Sequence, residues 1–167
     1  GGSLIVAHPG DQAYYQQFQQ QVARKLGKTE AVQELNQAQL ANKEDSLTER
    51  FQNAMLIEDE AWLDTQLSME VLAKKLAEQA NITIRIEHVE SVAAHTVTTA
   101  SDSHQYDLVY DCRGLGAKQD MQRLRGVRGE VIWLRAPEVD ISHLVRLMHP
   151  RYRLYLVPRP NDIYLVG

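Results

Sequence analysis

Short segments of alternating or continuous apolar residues near both ends of the chain predict strands. Residues 3–8 form an apolar run that stops at the turn signal Pro9-Gly10. At the other end, "RLYLVP" and "DIYLVG" predict two antiparallel strands joined at Pro160-Asn161-Asp162. Because a lone two-stranded hairpin is marginally stable in water, these last strands need neighbours to pack against.

Two longer segments carry apolar residues at helical spacing. The first lies between Asp11, placed as an N-cap, and Gly27, placed as a C-cap. Its apolar face carries Tyr14, Phe18, Val22 and Leu26. The second begins near Asp64 or Thr65 and ends at Asn81. The face that we expect it to bury carries Leu67, Val71, Leu72 and Leu76.

Between these two helices the pattern is weaker. Residues 29–39 predict a second, shorter helix, in which Leu35, with Leu40 just beyond it, supplies apolar contacts. Residues 41–56 are mostly polar and predict a loop with one helical turn.

Further strands follow the helix that begins near Asp64. Ile82, Ile84 and Ile86 alternate with polar residues, as in a half-buried strand. "HTVTTAS" also alternates, and "YDLVYDCRGLGA" predicts a strand buried on both faces that leads into a glycine turn. "GEVIWLRAP" and "HLVRLMH" complete an antiparallel set with the last two strands. The predicted fold class is α+β: a mixed, mainly antiparallel sheet with helices, plus a βαβ remnant built from residues 65–80 and the strands at Ile82 and Tyr106.

Composition favours a globular protein with one sizeable core, since 44% of the 167 residues are hydrophobic. No apolar run has the length of a membrane helix and no leader pattern opens the chain, so we expect a cytoplasmic protein without a membrane partner. The single cysteine, Cys112, excludes an internal disulfide. A net charge of -4 argues against bulk attraction to nucleic acid.

Few motifs carry chemistry by themselves. The six histidines lack metal-ligand spacing, and no nucleophile motif or complete phosphate loop occurs in the chain. Basic residues gather after Arg113, which leaves a nucleic-acid interface as a weaker alternative to solvated surface. The basic residues that would form it are Arg123, Arg125, Arg128, Arg151 and Arg153. A non-enzymatic protein-interaction module is the other alternative.

Several phrases in order along the chain resemble the D-amino-acid oxidase and glycine oxidase family of FAD-dependent enzymes. They are "GGSLIVAHPGDQAYYQQF", "IEHVESV", "YDLVYDCRGLGAK", "LRGVRGEVIWLRAP" and "RYRLYLVPRPNDIYLVG". The resemblance implies an internal piece of such an enzyme, because the family's opening GxGxxG turn and its later arginine-bearing strand are not in this sequence. It also implies substrate-domain parts in residues 1–63 and 118–167 and a partial FAD-binding domain in residues 64–117.

The resemblance also assigns roles to single residues. Val89 matches a strand-end valine whose backbone meets FAD, and Cys112, Arg113 and Gly114 match a turn beside the dinucleotide. Arg113 departs from the family pattern. For the substrate, the resemblance implies binding by Tyr155, with Arg153 as a nearby polar candidate.

The implied reaction is oxidation of a small amino acid or amine by FAD. Glycine oxidation in thiamine synthesis is one case, and sarcosine-like or D-amino-acid substrates remain open. We expect the 167-residue chain alone to bind no stoichiometric FAD and to be inactive, because the phosphate-binding turn is not in its sequence. Open sheet edges are expected to permit pairing with a second copy.

Overall fold

A computed structural model describes residues 1–27 and 29–167. The helices are α1 Gln12–Leu26, α2 Gln37–Ala41 and α3 Thr65–Ala77. The strands in chain order are β1 Ser3–Ala7, β2 Val32–Asn36, β3 Asn53–Ile57, β4 Val89–Ala93, β5 Thr96–Thr99, β6 Ser103–Gln105, β7 Ile132–Arg135, β8 Leu144–Met148, β9 Arg153–Arg159 and β10 Ile163–Val166. The chain divides into a first unit, residues 1–63 with 129–167, and a second unit, residues 64–128.

The first unit is built on a seven-stranded sheet in the order β2-β3-β1-β8-β9-β10-β7. Only the β1–β8 pair is parallel among its described ladders, which confirms the predicted mixed, mainly antiparallel sheet. The β9–β10 hairpin turns through Asn161 and Asp162, which both have positive φ. It lies between β8 and β7, so the last two strands of the chain pack inside the sheet rather than alone.

The core of the first unit lies on both faces of β1. Ile5 and Ala7 face α1 and contact its buried Tyr15. Leu4 and Val6 point to the other face, where α2 contributes Leu40. Because both faces are covered, every residue of β1 is buried, which explains why its sequence is continuously apolar rather than alternating.

Two predictions between α1 and α3 were wrong. Residues 29–39 do not form a helix: β2 pairs antiparallel with β3, and the five-residue α2 begins only after it. Asn36 ends the strand and caps α2, because its side chain accepts from the Gln39 N–H while the Gln39 side chain accepts from the Asn36 N–H. The prediction for residues 41–56 was wrong only at its end: residues 42–52 are a loop with one helical turn, Asp45–Leu47, but residues 53–56 belong to β3, a strand inside the sheet.

The second unit contains α3 and a three-stranded antiparallel sheet in the order β4-β5-β6. The helix starts as predicted, but its apolar side chains, expected to be buried, are exposed: Leu67, Val71, Leu72 and Leu76. The strands predicted at Ile82 and at Tyr106 do not form, and Ile86 is fully exposed. Within the described residues no other strand pairs with these two segments, so the predicted βαβ remnant was wrong as a set of hydrogen-bonded strands.

No helix in the described ranges has both the length and the apolar character required to cross a membrane.

Candidate functional site

Strand β9 places both predicted substrate residues on one face of the sheet. Arg153 and Tyr155 are two positions apart, and side chains two apart in a strand point the same way. In the β8–β9 ladder, Tyr155 lies opposite Arg146, and Arg153 lies opposite Met148. The structure therefore groups an exposed phenol with two guanidiniums.

The ring of Tyr155 lies against the backbone at Gly167. The two residues are hydrogen-bonded across the strands, with the Tyr155 N–H 2.8 Å from the Gly167 carbonyl oxygen and the Gly167 N–H 3.1 Å from the Tyr155 carbonyl oxygen. A Cβ at position 167 would lie 2.6 Å from both Cζ and Oη of the tyrosine. Gly167 thus leaves the space that this ring orientation requires.

Arg146 is a neighbour of the candidate residue Tyr155 that the sequence reasoning missed. Its Nη2 lies 3.1 Å from Oε2 of Glu60, and the same oxygen accepts a hydrogen bond from the hydroxyl of the fully buried Ser3. This contact holds a cation beside Tyr155 in the ladder. Arg146 and Tyr155 are well separated in the sequence, so only the pairing of β8 with β9 shows that they lie opposite each other.

The predicted cofactor residues all lie in the second unit. Gly114 opens a 3-10 turn, Gly114–Ala117, with φ of +56°. A side chain would be strained at that φ, although a Cβ there would meet no atom within 4 Å. The backbone at Gly114 is therefore accessible to a ligand from that side, and the neighbouring Cys112 is exposed.

Arg113 binds two carboxylates across this turn. Its Nε lies 2.8 Å from Oδ1 of Asp111, and its Nη2 lies 2.7 Å from Oδ2 of Asp111 and 2.6 Å from Oδ2 of Asp120. The hydrogen bonds from Arg113 lower the pKa of Asp111 to about 2, and the same bonds raise the pKa of the guanidinium. The guanidinium of Arg113 is therefore already paired with carboxylates on either side of the turn.

Val89 is the first residue of β4, at the edge of the small sheet. It pairs with Thr99, and the register shifts between Val89 and Ser91. Of the strands that the structure describes, only β5 pairs with β4. The other edge of β4 therefore carries main-chain groups that no described strand pairs with.

Comparison with known proteins identifies the family. Residues 1–167 match the family described as FAD dependent oxidoreductase, abbreviated DAO. The chain belongs to this family. It is 32% identical over 167 residues to a Rhizobium etli protein named as the thiamine biosynthesis oxidoreductase ThiO, a match that covers 99% of this chain and 45% of the relative.

Solved structures share the fold of this DAO-family chain. Glycine oxidase from Geobacillus kaustophilus superposes with a TM-score of 0.76 at 21% identity over 99% of this chain and 46% of that one. L-proline dehydrogenase from P. horikoshii gives a TM-score of 0.72 at 11% identity over 99% of this chain and 48% of that one. The chain thus spans about half the length of the relatives that it matches.

The described residues of the second unit fit a family that depends on FAD. A dinucleotide is recognised largely by main-chain groups, and the open backbone at Gly114 together with the unpaired edge of β4 at Val89 offers such groups. Arg113 fits less directly, since its guanidinium is occupied by Asp111 and Asp120. No group of three or more histidine, cysteine or acidic side chains in the described ranges could hold a metal ion.

Proposed function

We propose that this DAO-family chain contributes substrate-facing strands and part of the FAD-binding half of an oxidase that acts on a small amino acid or amine. The observation that supports this most is Tyr155 beside two guanidiniums on one sheet face, in a chain that matches the family along its whole length. The named relatives, a ThiO and a glycine oxidase, favour glycine or a similarly small amine as substrate.

Tyr155 serves as a substrate-binding residue in this proposal. Its phenol donates a hydrogen bond to a carboxylate, and its ring offers a flat wall to the carbon skeleton of the amine. The ring is positioned for this role by Gly167, whose lack of a side chain leaves room for Cζ and Oη. Orientation of the substrate in this way lowers the entropic part of the barrier.

The guanidiniums supply the electrostatic part of the site. Arg153 is exposed on the same face and can attract an anionic substrate or accompany its carboxylate. Arg146 is the better fixed of the two because Glu60 holds one of its nitrogens. We assign Arg153 to substrate binding and Arg146 to the positive field around Tyr155.

The turn at Gly114 and the strand start at Val89 are proposed to contact FAD through the main chain, with Cys112 beside them. When bound, FAD supplies the hydride acceptor for oxidation of the amine carbon. Arg113 contributes by holding the turn, because its bonds to Asp111 and Asp120 span residues on both sides of Gly114. This role differs from the direct contact that the resemblance implied.

The experiment uses the full-length protein that contains this chain, loaded with FAD and assayed with glycine, sarcosine and D-alanine. Tyr155→Phe removes the phenolic donor and keeps the ring, so we expect kcat/KM for the best substrate to fall by about tenfold or more, mainly through KM. Tyr106→Phe, a half-exposed tyrosine of the second unit, is the matched control and leaves kcat/KM unchanged.

Two results would contradict the proposal. One is a full-length flavoprotein that oxidises none of the three amines, and the other is equal kcat/KM for the Tyr155→Phe and wild-type enzymes. The 167-residue chain alone is expected to remain colourless after mixing with FAD and gel filtration. A stoichiometric yellow complex would show that the cofactor contacts inferred for this chain are sufficient without a GxGxxG turn.

A further inference from the structure

A cavity of about 250 Å³ lies in the first unit between the second half of α1 and strands β2 and β3. It is slightly smaller than sites for drug-sized ligands, roughly 300–1,000 Å³, so it suits a molecule with few heavy atoms. Its lining includes Val22, Ala23, Gly27, Val32, Glu34 and Met55. The lining contains none of Arg146, Arg153 and Tyr155, so the cavity is separate from the proposed substrate face on β8 and β9.

Glu34 is the one charged side chain among the described residues that line this cavity. It lies opposite Met55 in the β2–β3 ladder, on the same face of the sheet as the buried methionine. The next residue, Leu35, points the other way into the cluster that α2 covers. No ion pair among the described residues involves Glu34. A carboxylate on the α1 side of the sheet is therefore available to a cation.

The end of α1 adds to the negative potential of the cavity. Ala23 and the C-cap residue Gly27 both line it, so the C-terminal end of this 15-residue helix forms part of the wall. The C-terminus of a helix carries a partial negative charge of roughly half an electron. The basic residues of the last turn, Arg24 and Lys25, do not line the cavity.

The field of Glu34 reaches the apolar core. Burial is the larger cause of the raised pKa of Tyr15, and the charge of Glu34 is the second. Tyr15 and Met55 belong to one buried cluster, and Met55 also lines the cavity. The carboxylate is thus close enough to the interior for its attraction to a cation to exceed that of a fully solvated group.

The rest of the lining is apolar or neutral. Val22 and Val32 pack against the cluster that contains Met55, and all three side chains form an apolar wall. Gln19 and Thr29 contribute neutral groups that can accept hydrogen bonds. This combination fits a compact cation that carries a short hydrocarbon chain.

We propose that the cavity is a binding site for a small primary aliphatic amine in its protonated form, without a carboxylate of its own. Glu34 binds the ammonium group, and Val22, Val32 and Met55 contact the hydrocarbon chain. A carboxylate on the ligand would be repelled by Glu34 and by the end of α1, so the site rejects amino acids. It lies entirely within the first unit and does not depend on FAD.

The test is an NMR titration of the ¹⁵N-labelled 167-residue chain with butylammonium chloride. Butan-1-ol supplies the hydrocarbon without the charge, methylammonium chloride supplies the charge without the chain, and norvaline is butylamine with an added carboxylate. We expect saturable shifts at the amides of Val22, Val32 and Glu34 with butylammonium. Binding is expected to be at least about tenfold weaker for butan-1-ol and norvaline, and several-fold weaker for methylammonium.

Three variants separate this site from general attraction to negative charge. Glu34→Gln keeps the size of the side chain and is expected to weaken binding about tenfold or more. Glu30→Gln is the matched control, because it removes an equal charge four residues away that does not line the cavity, and it leaves affinity unchanged. Ala23→Leu, at an exposed position of α1, fills part of the cavity and is expected to reduce binding as strongly as Glu34→Gln. Thermal unfolding of each variant confirms that the chain remains folded.

Four results would overturn the proposal: no saturable shifts with butylammonium, shifts confined to residues outside the cavity, equal affinity for norvaline, or equal losses for Glu34→Gln and Glu30→Gln. None of these measurements involves oxidase activity or Tyr155. The amine site can therefore fail while the proposed function holds, and the reverse.

Discussion

At the scale of single residues, the surroundings of Tyr155 depend on the register of β8, β9 and β10. Tyr155 could be proposed from the sequence because a tyrosine that alternates with leucines in a strand must face one side, and the resemblance implied its role. Arg146 and Gly167 were missed because their closeness to Tyr155 exists only through the register of β8, β9 and β10. The contact of Gly167 with Tyr155 can be inferred only when the strand register is known, because the register places this glycine opposite the aromatic ring.

The ion pair at Asp111 gives a pH-dependent prediction. The hydrogen bonds from Arg113 hold the pKa of Asp111 at about 2, below the unfolded value of roughly 3.9. A lowered folded-state pKa means that the contribution to stability is present above pH 4 and is lost as the pH falls toward 2. In Arg113→Gln, NMR titration of the Asp111 carboxyl is expected to show a pKa returned toward 4. An unchanged pKa would contradict the clamp that Arg113 forms across the turn.

The buried hydroxyl of Tyr15 gives a second pH-dependent prediction. Its Oη has no hydrogen-bond partner among the described residues, and burial, reinforced by the charge of Glu34, raises its pKa. Because the folded-state pKa is raised, the folded chain keeps the phenol neutral at a pH where the unfolded chain ionises it, so the unfolding free energy declines as the pH rises above 10. Tyr15→Phe is expected to keep or raise the unfolding free energy at pH 7, by roughly 1 kcal/mol at most, and to reduce its decline above pH 10.

Urea unfolding at pH 7 and pH 10.5 measures both effects of Tyr15→Phe. Tyr14→Phe is the matched control on the same helix, since Tyr14 is 36% exposed and its phenol can remain in water. A loss of more than about 1 kcal/mol at pH 7 in Tyr15→Phe would mean that the hydroxyl has a stabilising partner.

At the scale of elements, the correct predictions share a clearly bounded apolar pattern. Helix α1 and strands β1, β9 and β10 were predicted because each has a periodic or continuous apolar pattern bounded by glycine, proline or asparagine. Strand β2 was misread because Leu35 and Leu40 were taken as apolar contacts of one helix, whereas Leu35 lies in β2 and Leu40 lies in α2. Its pairing with β3, a contact between residues distant in sequence, overrides that local pattern.

The start of α3 offers a local test at this scale. The side chain of Asp64 accepts a hydrogen bond from the Leu67 N–H at 3.0 Å, whereas Asp11, at the N-cap of α1, makes no side-chain capping bond. Asp64→Ala is expected to destabilise its helix by about 1 kcal/mol and to lower the helical circular dichroism signal. Asp11→Ala is the control, with little change. Equal losses in both variants would show that general charge effects, rather than the cap, stabilise these helix ends.

At the scale of the whole molecule, burial is unevenly distributed between the two units, and local stability should follow it. In the first unit, every residue of β1 is buried between two clusters of apolar side chains. In the second, α3 has no buried residue, and an isolated helix of 13 residues is marginal in water. The apolar residues of α3 have helical spacing, which predicts the helix correctly. The spacing alone does not predict whether another element covers its apolar face.

Native-state amide exchange on the 167-residue chain tests this difference residue by residue. We expect the amides of β1 and β3 to open only by global unfolding, and those of α3 to exchange through local opening with a free energy at least about 2 kcal/mol lower. The reason is that opening β1 exposes a core, whereas opening α3 exposes side chains such as Leu67 that are already in water. Protection of α3 equal to that of β1 would require a cover over its apolar face. Asp64→Ala is expected to accelerate exchange in α3, because the helix loses its N-cap, and to leave β1 exchange unchanged, because Asp64 is not part of the apolar clusters around β1.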